Sequence, residues 1–328
     1  MLHNVRLLSS YLKAISSWPE ENDLTFKSLP SPYQLARKIN ISANSSYKLW
    51  NMIFQREYIK DILIMPEIFP GDIKRYFLLT ILPFENLETL SKKFLELPFI
   101  ELLHTSNYMK KKRSSMGVED YMELGHIQFL SEDNLLEQKM EYIKNAFNDV
   151  GLDFNPINYF SYSEVNRKPT RSQLRLVTNI SYKSMRNFST EEITEDINFS
   201  RKKIRKSLDS IVENGFIKGK VIFNFKRIPN MITKQVSIMV PEENTNSYQN
   251  WVRSQREIRN NYIYFGNYPH TLTLTLFGET LEEIDDAIAF LSDRFENVHI
   301  IDRFDTVFYR GVKDFISTIA VDQIRETM

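Results

Sequence analysis

The sequence predicts an α+β protein in which two winged helix-turn-helix domains alternate with two ferredoxin-like (βαββαβ) domains. Two observations predict this. The first is an internal repeat at an offset of 158 residues. Ser31 meets Ser189, the stretch Leu35 to Ser42 meets Ile193 to Ser200, Ile53 meets Ile211, and Ile59-Lys60 meets Ile217-Lys218. Such a repeat is sought first, because missing it misassigns the whole fold. The second is the order of elements after each helix-turn-helix, β-α-β-β-α-β, read from hydrophobic period and turn residues. The expected domains are residues 1–70 and 167–232 for the winged helices, and 71–166 and 233–328 for the α+β units.

In the first copy, Val5, Leu8, Leu12 and Ile15 fall near helical spacing, which predicts a helix over residues 4–16. Ser31-Pro32 reads as a cap followed by proline at the first helical position. Leu35 and Ile39 are the apolar side of that short helix, and Asn40 to Ser42 is the turn. Residues 43–56 follow as a helix with Ser46, Trp50 and Ile53 inward, and Ile59 to Met65 reads as a wing strand. Pro66 and Pro70-Gly71 mark a boundary. Strands are then expected at 75–82, 98–104, 121–130 and 159–165, helices at 86–97 and 132–149, and a polar loop around Lys110 to Arg113.

The second copy repeats the order. Ser189-Thr-Glu-Glu192 has capping-box spacing. Residues 200–214 form a helix with Ile204, Leu208 and Ile211 inward, and Gly215 sits where a helix end wants a left-handed residue. Ile217 to Phe225 is the wing. Strands follow at 236–240, 262–265, 272–277, 298–302 and 306–309, with helices at 244–259 and 280–294. Pro241 matches Pro83 at the same offset.

Composition bounds the function. The 42 basic and 42 acidic residues cancel, so the surface is not coated in positive charge, although a local basic patch suffices for DNA. There is no cysteine, which excludes disulfides and thiolate metal sites. His3, His104, His126, His270 and His299 form no spaced pair, so no metal and no cofactor are expected. No apolar run reaches the 18 or so residues of a membrane span. The N-terminus lacks signal-peptide order, so a cytoplasmic location is expected.

Residues 199–217 carry a resemblance. Phe199-Ser200, Ile204, Arg205-Lys206, Ile211, and Gly215 with Ile217 resemble the recognition helix and wing entry of the Lrp/AsnC (leucine-responsive, feast/famine) transcriptional regulators. Val307 to Lys313 is similar to the family's closing strand. Members are ordinarily single copies, whereas here the pattern occurs twice in tandem. The resemblance implies a DNA-binding transcriptional regulator whose α+β domain takes a small-molecule effector. It places Gly266 at the Gly-containing turn between the middle strands, with no counterpart in the first copy. The first copy also departs at Glu57, which stands where the second has Gly215. A non-glycine residue in a left-handed cap costs roughly 1 kcal/mol, so the first helix is expected to end differently.

The candidate DNA contacts follow. Ser200, Arg201, Lys202, Lys203, Arg205 and Lys206 occupy the start of the second recognition helix, the end that points into the major groove in helix-turn-helix proteins. Arginine can read guanine edges in bidentate fashion, and lysine adds point charge. The first copy offers Asn44, Ser45, Tyr47 and Lys48, of which asparagine can pair with adenine. The expected partner is double-stranded DNA, met by an intramolecular pseudo-dimer or by a homodimer of the chain, with no enzymatic role. Two other classes stay open. Proteins similar to this family act as sirohaem decarboxylases of the same two-part architecture, which would require His and Arg to converge in the α+β domain; His270 and Arg310 are the candidates. A winged-helix protein-interaction scaffold is the third.

Overall fold

The computed structural model describes residues 5–16, 31–111, 118–161, 168–185, 189–224, 227–228, 232–239, 251, 262–268, 271–278, 280–295, 298–301, 304–309, 311–312 and 314–316. Both helix-turn-helix units are built alike. In the first, α1 (Val5–Ser16) precedes α2 (Pro32–Lys38) and α3 (Ala43–Gln55). Ser31 and Gln34 form a capping box on α2, with Pro32 at its start. In the second, α6 (Arg171–Ile180) precedes α7 (Thr190–Ile197) and α8 (Arg201–Glu213). The turn between the paired helices uses Asn40 in one copy and Asn198 in the other, both left-handed at φ of 55° and 52°. Asparagine tolerates that region better than most side chains. Ser42 and Ser200 then cap α3 and α8 by accepting from the amides of Ser45 and Lys203.

Three sequence expectations are corrected here. Residues 171–180 are helical although no helix is expected between 165 and 189; Leu176, Val177 and Ile180 bury one side of a ten-residue helix opened by a Thr170–Gln173 capping box. On α3 the buried face is Ser46, Leu49 and Ile53, while Trp50 is only half-buried and lies edge-on to Phe54, ring centroids 4.8 Å apart. The first recognition helix ends as the second does. Glu57 takes φ 54° where Gly215 takes 67°. The amides of Glu57 and Tyr58 reach Phe54 O and Ile53 O, and those of Gly215 and Phe216 reach Val212 O and Ile211 O. This is one Schellman closure made twice. Its carbonyl satisfaction, and an ion pair from Glu57 to Arg227, offset the left-handed cost. The sequence carries no expectation for the partners of the wing strands, and the fold supplies them.

β1 (Ile59–Pro66) and β6 (Ile217–Phe223) pair antiparallel with each other. At the repeat offset, Ile62 corresponds to Lys220 and Leu63 to Val221. Ile62 pairs with Val221 and Leu63 with Lys220. Exchanging the copies therefore exchanges these two pairs, which is the signature of a local twofold axis passing between them. The pairing satisfies a row of backbone donors and acceptors that a lone strand would leave to water. On the far edge of β1, Ile64 exchanges backbone hydrogen bonds with Tyr182 and Lys183. One apolar cluster runs through both units, joining Leu12, Leu35 and Ile53 to Val177, Ile204 and Ile211.

Each α+β unit keeps the ferredoxin-like strand order. The first runs β5 (Pro156–Ser161), β2 (Ile73–Ile81), β4 (Val118–Glu132), β3 (Ile100–Lys111), with α4 (Leu87–Phe94) and α5 (Leu136–Asp149) against Leu78, Ile127 and Phe129. The second runs β10 (Val298–Ile301), β7 (Ile232–Met239), β9 (Thr271–Gly278), β8 (Tyr262–Tyr268), with α9 (Leu281–Arg294) against Val236, Leu274 and Leu276. The helix expected over 244–259 lies outside the described residues except at Trp251, which is helical. The two units share one nine-stranded sheet, because β10 pairs with β3 as well as with β7. β11 (Phe304–Phe308) continues along β3, so the last strand of the second copy completes the first copy's sheet and carries Tyr309 into its core. β3 and β4 form a longer hairpin than expected. Lys110 and Lys111 belong to β3, not to a loop, while Lys112 and Arg113 lie outside the described residues.

Candidate nucleic-acid interface

Helix α8, the expected recognition helix of the second copy, is presented by its own burial pattern. Ile204, Leu208 and Ile211 are buried at helical spacing against α6 and α7. That fixes the rotation of α8 and leaves Arg201, Lys202, Lys203, Arg205 and Lys206 exposed on its first two turns. Arg201 reaches Glu191 of α7, Nη2 to Oε1 3.5 Å. A backbone hydrogen bond, then the Ser189 and Thr190 hydroxyls, and then Arg201 hold the Glu191 carboxyl below its usual range. Lys203 Nζ lies 3.7 Å above the Phe199 ring, and the Arg175 guanidinium of α6 lies 5.8 Å from the same ring. Such contacts orient the cations without neutralising them. Arg175 thus joins the basic face. It is legible only once α6 is known to be a helix beside α8.

The first recognition helix differs in chemistry. Asn44, Tyr47 and Lys48 are exposed, with Tyr47 at 52% and Tyr33 of α2 at 57%. Ser45 is half-buried and its hydroxyl accepts from that of Ser42, 2.9 Å away. Ser46 is buried; its hydroxyl donates to Pro32 O at 2.5 Å and lies 2.8 Å from Tyr11 OH. Burial pushes Tyr11 up to about 12, opposed in part by the Ser46 hydrogen bond. The Ser46 link binds the start of α2 to α3. In α2, Arg37 and Lys38 of the last turn are exposed.

Gly266 is corrected in place. It lies inside β8 opposite Thr273, beside a register shift, and not in the turn between the strands. The shift places an extra residue in the ladder, a position that glycine suits. His270 and Arg310 lie outside the described residues. Two other histidines do meet. His104 of β3 and His126 of β4 are cross-strand neighbours with ring centroids 5.8 Å apart. Burial pushes His126 down to about 4, although its ring keeps some exposure. No periodicity links residues 22 apart, so only the hairpin register brings them together. Among the described residues, no group of three His, Cys, Asp or Glu could hold a metal, and no helix is long and apolar enough to cross a membrane.

A buried polar cluster lies where the winged helices meet the first sheet. Arg75 of β2 grips Glu101 of β3 in bidentate fashion, Nε–Oε2 2.7 Å and Nη2–Oε1 3.0 Å. Its Nη2 also donates to Pro66 O at 2.7 Å, and Nη1 lies 3.4 Å from Glu67. Gln128 Nε2 donates to Glu101 at 2.8 Å, and Tyr182 OH donates to it as well. Burial works against the charged Arg75, but Glu101 and Glu67 outweigh it and hold the guanidinium firmly protonated. Burial, then the Glu101 charge, raises Tyr182 well above its ordinary value. With both oxygens engaged, the Glu101 carboxylate ties β2, β3 and the Tyr182 turn together.

No protein-family model matches the chain, and no curated protein matches it. Among solved structures it is similar to the siroheme decarboxylase NirDL, at a TM-score of 0.45 and 10% identity, covering 96% of this chain and 99% of that one. The same enzyme in co-complex with an iron-uroporphyrin III analogue matches at 0.45 and 10%, covering 95% and 99%. The small subunit of acetolactate synthase from Thermotoga maritima matches at 0.18 and 8%, covering 72% and 93%. The expectation of no enzymatic role is corrected here: the first two of these are structures of an enzyme. The Lrp/AsnC resemblance stays one of motif and architecture.

Proposed function

We propose that this chain binds double-stranded DNA as a transcriptional regulator, with α8 as its principal contact. The observation that carries this is the exposed run Arg201, Lys202, Lys203, Arg205 and Lys206 on the first two turns of a helix held in helix-turn-helix geometry. In a chain of zero net charge, so local a patch concentrates attraction for phosphate on the element shaped to enter a major groove. Fluorescence anisotropy with a labelled random-sequence duplex tests it. Affinity should fall with salt at about −0.9 in log–log slope per phosphate neutralised. The double reversal Lys202→Glu, Arg205→Glu should remove most of the affinity with the circular dichroism unchanged, since both side chains are exposed. Undiminished binding by that variant, or no binding by the wild type at low salt, would sink the proposal.

The second reading is tetrapyrrole decarboxylation, the activity of the siroheme decarboxylase to which the chain is similar. What favours it in this chain is the His104–His126 pair in the α+β sheet, which meets the histidine half of the expected His and Arg convergence. Titrating iron-uroporphyrin III and following visible absorption decides it. A saturable spectral shift that His104→Ala removes favours this reading; an unchanged spectrum discards it.

A further inference from the structure

We infer that one chain recognises a duplex with two unlike half-sites, gripped by charge at one half and read by uncharged side chains at the other. This rests on the DNA-binding reading above and names the partner more narrowly. The β1–β6 register carries a local twofold relation, and α3 and α8 each lead into one of the two paired strands, so they are equivalent elements of the two copies. In a symmetric dimer, equivalent helices are identical and select a palindrome. Here the chemistry is exchanged between equivalent elements. In the second copy the positive charge lies on the recognition helix itself, while α7 is acidic at Glu191, Glu192, Glu195 and Asp196. In the first copy α3 exposes Asn44, Tyr47 and a single lysine, Lys48, on its first turns. Its positive charge sits on α2, at Arg37 and Lys38. The supporting helix of a helix-turn-helix crosses the phosphate backbone, and the second helix reads base edges. The first copy therefore holds phosphate through α2 and leaves α3 free for uncharged readout, with asparagine suited to adenine. The second copy cannot hold phosphate through its acidic α7 and uses α8 for grip.

The test is selection from a pool of randomised duplexes by the full chain, followed by footprinting and stoichiometry on the selected duplex. The expected site is bound by one chain, spans two segments about one helical turn apart, and is not palindromic. Asn44→Ala with Tyr47→Ala should erase preference at one segment only, by roughly five- to a hundredfold, and leave the salt slope unchanged. Lys202→Glu with Arg205→Glu should weaken every duplex alike. A palindromic site on which both halves matter equally, or two chains per site, overturns the inference while sparing DNA binding. So does a selected sequence unaltered by the Asn44 and Tyr47 changes. A wild-type chain that binds no duplex defeats the underlying reading as well.

Discussion

Replacing Arg75 by methionine should be among the most damaging single changes in this protein. Arg75 is 8% exposed and Glu101 1%. The change removes both hydrogen bonds to Glu101, at 2.7 and 3.0 Å, and the bond to Pro66 O. Glu101 would keep only Tyr182 and Gln128 as donors in a site closed to water. Breaking a buried ion pair from one side costs about 3–5 kcal/mol, because a charge stays behind without its counterion. Removing both charges is far milder, since neither then has to be desolvated. The double variant Arg75→Met, Glu101→Leu should thus recover most of the loss, to within roughly 1–2 kcal/mol of wild type, the remainder being the orphaned Pro66 carbonyl and Tyr182 hydroxyl. Urea denaturation of the four proteins of the cycle measures this. Hydrogen exchange at the Tyr182 amide, which bonds to Ile64 O at 2.7 Å, reports whether the winged-helix junction opens first. Additive single losses, or a loss under 1 kcal/mol for Arg75→Met, would refute the view that this pair fastens the two halves of the fold.

Three further outcomes are expected. Gly215→Ala should cost about 1 kcal/mol with no packing change, because φ is +67° and an added Cβ meets nothing within 4 Å; thermal denaturation checks it, and a neutral result would mean the cap is not strained. Glu57→Gly in an Arg227→Ala background should gain up to about 1 kcal/mol by the same reasoning reversed, and a loss of stability would contradict it. Burial holds the His126 ring neutral down to about 4, whereas the unfolded chain takes that proton near 6.5. Its contribution is therefore complete above pH 6.5 and is lost as pH falls towards 4. The full gap would be at most about 3 kcal/mol, and partial exposure lowers it to roughly 1–2 kcal/mol. Comparing wild type with His126→Gln at pH 7 and pH 4.5 isolates the effect, and identical pH dependence would disprove it.

What the sequence by itself determined was local and periodic. Ile204, Leu208 and Ile211 recur at helical spacing, so the rotation of α8 and the exposure of its five cations could be read before any tertiary contact was known. The caps Ser31, Ser42, Ser200 and Thr280 announce helix starts through side chains that act within three residues. The repeat offset gave the tandem order of units. Tertiary structure decided the rest. Helix α6 buries only a short apolar stripe, which becomes persuasive once α7, α8 and β1 pack against it. Glu57 adopts the conformation expected of glycine because its helix must close like its twin's, with backbone bonds outweighing a local preference. Which strand pairs with which is a matter of register between distant segments, and no spacing encodes it. The pairing of the wings, the passage of β11 into the first sheet, the meeting of His104 with His126 and the clasp of Arg75 on Glu101 all depend on it. Backbone hydrogen bonding is indifferent to side-chain identity, so many pairings are locally equivalent, and only the shared burial of the whole molecule selects among them.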